Sequence, residues 1–121
     1  MFSPSYSTAP VNSEMLPRQQ VLLDALFTCA TACNEFIAYS WNEPDLPSRA
    51  RSMRLGRDCA DLCQLAGVFV ARGSEHFRYI LRECAELCRA CADETTQHPG
   101  DLSRRCTEAC RMAEDACRTS Y

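Results

Sequence analysis

Glycine and the β-branched residues are scarce in this sequence. Only four of its 121 residues are glycine. Sheets are rich in β-branched residues, whereas a chain poor in both glycine and β-branched residues favours helices. A chain of this length also suits one domain with one hydrophobic core. The composition therefore predicts a single all-α domain.

The first residues lack the features of an export signal. They read MFSPSYSTAPVNSEML, with no basic segment, no apolar segment and no twin arginine. No uninterrupted apolar run approaches the roughly 20 residues of a membrane-spanning helix. The formal net charge is −3 and the basic residues are scattered, which argues against a nucleic-acid partner. We therefore expect a cytoplasmic protein with neither membrane nor nucleic acid among its partners.

Cysteine is the residue that the chain has in excess, with ten copies. In a short secreted protein, such a number indicates a disulfide scaffold. Disulfide scaffolds are usually rich in loops, and this sequence is mostly helix-forming. In a cytosolic protein, a cysteine framework more often serves metal binding or catalysis. Metal binding is therefore the leading interpretation, and disulfides between helices remain an alternative.

Apolar stripes with the helical period predict four helices. Residues 1–13 are rich in Ser, Pro and Thr and predict a mobile tail, so the folded domain is expected over residues 14–121. Breaks are expected at Asn42–Pro47, at Gly73 and at His98–Gly100. The candidate N-cap residues of the last three helices are Asp45, Ser74 and Asp101. Short connections favour antiparallel neighbours, which predicts an up-down-up-down four-helix bundle.

Each predicted helix carries one Cys-x-x-x-Cys motif. Residues four apart lie on one face of a helix, with Cβ atoms about 5–6 Å apart, which would strain a disulfide. Two thiolates at that spacing suit Cu(I), a soft ion that tolerates near-linear ligation by two sulfurs. The other two cysteines extend the same stripes, so all ten thiols are expected to face the interior. The candidate ligands are Cys29, Cys33, Cys59, Cys63, Cys84, Cys88, Cys91, Cys106, Cys110 and Cys117.

Other interpretations of these residues remain open. Buried cysteines also serve as small apolar core residues, which would make the bundle structural. Zn(II) or an iron–sulfur cluster would use the same thiolates with a different geometry. His98, beside Pro99, is a further candidate ligand that would help an ion into the mouth of the bundle. No catalytic constellation is visible, so the chain is not expected to be an enzyme.

Several segments resemble the cysteine-rich four-helix-bundle copper-binding proteins, the family that includes the bacterial copper storage proteins. The resemblance covers roughly residues 22–121 and is carried by Arg57–Cys63, Ala71–Ser74, Cys84–Ala92 and Cys106–Cys117. It implies a bundle filled with several Cu(I) ions on paired thiolates, a tetrameric homo-oligomer, and a role in copper storage, buffering or detoxification.

This chain has other residues at positions where such proteins often carry further cysteines. The resemblance therefore implies a thinner thiol lining and a smaller copper cluster. The positions are Leu26, Phe36, Ser40, Ser52, Leu81, Thr95, Ser103 and Ala113.

Overall fold

The computed structural model describes residues 15–121, so the predicted tail at residues 1–13 lies outside the described residues. Within 15–121 the chain forms four helices and no strand. They are α1 (Met15–Ser40), α2 (Leu46–Ala71), α3 (Phe77–Thr95) and α4 (Asp101–Arg118).

The four helices close into a ring. Each helix packs against the helix that follows it in the chain, and α4 packs against α1. The diagonal pairs, α1 with α3 and α2 with α4, are held apart by the side chains of the core. Short connections make neighbours antiparallel. The predicted up-down-up-down four-helix bundle is therefore confirmed.

The N-terminus of α2 lies where the sequence predicts it, but its cap is different. Asp45 is the N-cap residue, yet its side chain makes no capping hydrogen bond to the backbone. Its carboxylate instead accepts a hydrogen bond from Nε of Arg49 at 2.8 Å. Arg49 is buried, and a buried guanidinium needs a partner more strongly than an exposed backbone amide does.

The N-cap residues of α3 and α4 differ from the predicted ones. The N–H of Ser74 donates to the carbonyl of Phe69 at 2.9 Å, while Gly73 has a φ of +67°. Ser74 thus belongs to the closing turn of α2, and α3 starts later, with His76 as its N-cap. The Oγ of Ser74 still accepts a hydrogen bond from the N–H of His76 at 3.1 Å, so Ser74 caps the turn that leads into α3. At α4 the N-cap is Gly100, and Asp101 is already the first helical residue.

The ten thiols occupy the middle of the core, between two different ends. The polar end carries one buried hydroxyl from each helix and one buried cation; its residues are Ser40, Arg49, Ser52, Thr95 and Ser103. The apolar end is filled with aliphatic side chains from three helices; its residues are Leu22, Leu26, Ala66, Val70 and Leu81. The positions that thin the thiol lining therefore lie mainly at the two ends.

Helix α1 contains a segment that is long and apolar enough to span a membrane. Pro17–Ser40 within α1 has the length and hydropathy, 1.4 on average, of a membrane-spanning helix. This differs from the expectation that no segment approaches such a span. The difference arises because cysteine and alanine count as apolar even when polar residues interrupt the run. In the bundle, Leu22, Leu26, Cys29 and Cys33 of this helix are buried in the core.

Candidate metal centre

All ten cysteines are buried and all ten are free thiols. Each has an exposed fraction of 1% or less. The prediction that every cysteine faces the interior is therefore confirmed. The helical register explains this arrangement, because each Cys-x-x-x-Cys motif lies on the same stripe as the aliphatic core residues of its helix.

The shortest contacts between thiols run between helices, not along them. The Sγ atoms of Cys59 and Cys88 are 3.6 Å apart, and so are those of Cys63 and Cys84, which join α2 to α3. Cys29 reaches across to Cys110 on α4 at 3.6 Å. Within one helix, the Sγ atoms of Cys59 and Cys63 are 4.0 Å apart. An ion in this core would thus be shared between helices.

The thiols form three groups of four, each with its Sγ atoms within 4.8 Å of one another. Group A is Cys29, Cys59, Cys63 and Cys88. Group B is Cys29, Cys33, Cys59 and Cys110. Group C is Cys33, Cys91, Cys106 and Cys110.

The groups overlap along the bundle axis. Groups A and B share Cys29 and Cys59, and groups B and C share Cys33 and Cys110. Three of the four Cys-x-x-x-Cys motifs lie intact within a group. The motif of α3 is divided: Cys88 belongs to group A, whereas Cys84 belongs to none of the groups formed by the described residues.

Cys84 and Cys117 are the two cysteines outside the three groups. Two ion pairs between α3 and α4 hold Cys84 and Cys117 at a similar height along the bundle axis. The carboxylate of Asp93 pairs with Arg111 at 2.9 Å, and that of Glu86 pairs with Arg118 at 3.1 Å. Cys84 is two residues before Glu86, and Cys117 is one residue before Arg118. Their side chains interact across the α3–α4 contact.

The neighbouring thiols shift one another's pKa in opposite directions. The hydrogen bond with Cys106 and burial raise the pKa of Cys110 above its ordinary value. The pKa of Cys33 is also raised, with the hydrogen bond to Cys106 as the largest cause and burial as a further one. Hydrogen bonding to Cys106 instead lowers the pKa of Cys91 to about 6. The core therefore holds thiols that keep their protons beside at least one that gives its proton up readily.

His98 lies at the polar end, beyond the three thiol groups. Its Nε2 is 2.8 Å from Oγ of Ser52, and its ring centroid is 6.2 Å from that of Phe36. The side chain is half-buried. The structure thus brings His98 to the mouth of the bundle but not into a group with the cysteines.

The polar end includes a residue that the sequence analysis did not single out. The guanidinium of Arg49 is 1% exposed and lies over the rings of Phe36 and Tyr39 at 5.8 and 5.6 Å. It also donates to Oγ of Ser40 at 3.2 Å. Arginine is rarely buried. Nothing in the sequence around Arg49 distinguishes it from the other twelve arginines of the chain.

Comparison with known proteins gives consistent matches. A family model described as copper storage protein matches residues 16–121. An uncharacterized cysteine-rich protein of Bacillus subtilis is 30% identical over 100 residues, which cover 83% of this chain and 93% of that protein.

Two solved structures are similar over most of their length. A Cu(I)-bound copper storage protein is 29% identical with a TM-score of 0.81, covering 84% of this chain and 96% of that one. A cytosolic copper storage protein from Streptomyces lividans, with five coppers, is 29% identical with a TM-score of 0.82. This second match covers 85% of this chain and 91% of that one.

Proposed function

The chain belongs to the copper storage protein family, and we propose that it stores or buffers several Cu(I) ions on the thiolates of its core. The ligands would be the ten cysteines, with the eight thiols of groups A, B and C as the main sites. The proposal is supported by the chemistry of the donor set, because a dry interior of thiolates selects soft ions such as Cu(I).

The overlap of the groups is the observation that carries the proposal. The four shared thiols could each bridge two Cu(I) ions and so link the groups into one cluster. Zn(II) needs four ligands in a closed tetrahedron at a structural site. Groups A and C have no thiol in common, so the core could hold two such zinc sites, and group B would then have no ligands of its own. The number of bound ions therefore separates the two metals.

A titration tests this proposal. The reduced apoprotein is titrated anaerobically with Cu(I) against a competing chelator, and separately with Zn(II). We expect about five or more Cu(I) ions per chain to bind before the chelator competes, as two thiolates per ion would allow. Met112→Leu is the matched control, because this exposed soft ligand lies outside the core and its loss should change nothing.

Two results would contradict the proposal. Fewer than about two tightly bound Cu(I) ions would leave the cysteines as structural core residues. A limit of two ions, with Zn(II) bound more tightly than Cu(I), would identify a zinc protein.

We also propose that His98 assists copper uptake at the polar end instead of holding stored copper. Its support is position: the half-buried imidazole faces Ser52 and Phe36, between solvent and the thiols. In His98→Ala we expect slower Cu(I) loading with an unchanged final number of ions. A reduced final number would instead make His98 a storage ligand.

The setting of the protein is a further part of the proposal. We propose that it acts in the cytosol, as the Streptomyces lividans relative does.

A tetramer is supported by apolar side chains exposed on α1 and α2, among them Val21 and Leu65. Sedimentation equilibrium would test it, and a monomer mass at micromolar concentration would contradict it.

A further inference from the structure

Two thiols of the core have no place in the overlapping groups. Cys84 and Cys117 are as deeply buried as the other eight, with exposed fractions of 1% and 0%. Their side chains interact between α3 and α4. Sγ of Cys84 is also 3.6 Å from that of Cys63, a member of group A. They thus form a pair that touches the copper-binding groups without belonging to them.

We propose that the core also accepts copper as Cu(II) and reduces it, with Cys84 and Cys117 as the thiols that are oxidised. In this step the two thiols lose two electrons and two protons and form one disulfide bond. Two Cu(II) ions each gain one electron and become Cu(I), and the two protons leave to solvent. This inference rests on the proposed function, since groups A, B and C would hold the Cu(I) that is formed.

The groups supply the driving force for this reaction. Thiolates bind Cu(I) in preference to harder ions, so the binding of the reduced copper draws the electron transfer forward. Ten thiols are present, and a disulfide uses two of them. The eight that remain after oxidation of Cys84 and Cys117 are the eight that form the groups.

The choice of thiol pair follows from what each disulfide would remove. A disulfide between Cys29 and Cys110, which are 3.6 Å apart, would take ligands from all three groups. One between Cys63 and Cys84 would damage group A alone. The Cys84–Cys117 disulfide removes no group ligand, so it leaves the most thiolates to hold copper.

Oxidation that begins elsewhere can reach this pair. A disulfide moves when a neighbouring thiolate attacks one of its sulfurs. Cys63 is in contact with both Cys59 and Cys84, at 4.0 and 3.6 Å. A disulfide formed within group A can therefore pass to Cys84 by exchange, and from there to Cys117.

The test supplies copper only as Cu(II). Two equivalents of copper(II) sulfate are added anaerobically to the fully reduced apoprotein without any other reductant. We expect the Cu(II) electron paramagnetic resonance signal to disappear and one thiol to be lost per Cu(II) added. Peptide mapping should then find Cys84 joined to Cys117. A persistent Cu(II) signal, or a disulfide confined to cysteines of the three groups, would overturn the proposal.

Two double variants separate this activity from storage itself. Cys84→Ala/Cys117→Ala should still bind Cu(I) when Cu(I) is supplied with a reductant. After reaction with Cu(II) alone, its total capacity for Cu(I) should be about three-quarters of the wild type's, because the disulfide must now form within a group and leaves six thiols instead of eight. Equal capacity for Cu(I) after this reaction would contradict the assigned role of the pair.

The matched control is Cys91→Ala/Cys106→Ala, which removes two thiols of group C. Its total capacity for Cu(I) should be lower than that of the wild type, but it should still form the Cys84–Cys117 disulfide with two equivalents of Cu(II). If the wild type binds Cu(I) but does not reduce Cu(II), only the present inference fails. If it binds no Cu(I) at all, the proposed function fails as well.

Discussion

Four cysteines carry more of the cluster than the others do. Cys29, Cys33, Cys59 and Cys110 each belong to two groups of thiols, whereas Cys63, Cys88, Cys91 and Cys106 each belong to one. A thiolate that can bridge two ions cannot be replaced by its neighbour in the same helix. In α2 and α4 the two cysteines of the Cys-x-x-x-Cys motif are therefore not equivalent, although the sequence presents them as a symmetrical pair; in α1 both cysteines belong to two groups.

Substitutions within the motif of α4 test this difference. In Cys110→Ala we expect the loss of about two Cu(I) ions per chain, and in Cys106→Ala of about one, because only Cys110 lies in two groups. Both residues are fully buried, so the two cavities are of the same kind and the comparison is matched. A Cu(I) titration of each variant measures the effect. Equal losses would show that copper does not bridge groups B and C.

At the scale of elements, the helix ends set the relative heights of the cysteine stripes. The turn between α2 and α3 depends on Gly73, whose φ of +67° is in the left-handed region. This residue ends α2 and allows Ser74 to bond back to Phe69. A change in this turn would move α3 along its axis and separate Cys84 from Cys63.

Gly73, which has a positive φ, and Gly56, which has a helical conformation, allow a matched prediction. Gly73→Ala should lower the free energy of unfolding by about 1–2 kcal/mol, because a Cβ disfavours the left-handed conformation. Gly56→Ala should raise it by up to about 1 kcal/mol, because Gly56 lies inside α2 and an added Cβ would meet Ile37 at an ordinary 3.6 Å. Urea unfolding of the apoprotein measures both. A neutral Gly73→Ala would mean that the turn has another conformation.

At the scale of the whole molecule, the bundle encloses a thiol core between a polar and an apolar end. Hydroxyls, Arg49 and His98 lie at the polar end, and aliphatic side chains seal the other. Among the described residues, Oγ of Ser103 is the buried side-chain polar atom without a hydrogen-bond partner. The polar end therefore differs from the apolar end in carrying groups that can hydrogen-bond to water.

Copper binding by this core should depend strongly on pH. The raised pKa values of Cys33 and Cys110 mean that these thiols keep their protons in the apoprotein, so Cu(I) must displace them. Protons compete better as the pH falls, and the apparent affinity should drop by about 100-fold per pH unit if each ion displaces two protons. Competition titrations between pH 6 and pH 8 measure this slope. An affinity independent of pH would show that the thiols are already ionised.

The sequence by itself determined the fold and the residues that line the core. Cysteines repeat with the period of the aliphatic stripes, and prolines and glycines separate four such stripes, so an antiparallel bundle with buried thiols follows from local patterns. Helix starts were less accessible, because Ser74 and Asp101 have the right side chains for caps but the backbone of the connecting turns uses His76 and Gly100 instead.

Only the tertiary structure decided which thiols meet. Spacing along one helix pairs Cys84 with Cys88, but packing between helices sets Cys88 beside Cys59 and Cys84 beside Cys63. It also buries Arg49 at one end and leaves Cys84 and Cys117 outside the groups. These features depend on the axial register of neighbouring helices, which is fixed by contacts between residues distant in the chain. No local pattern in the sequence encodes that register.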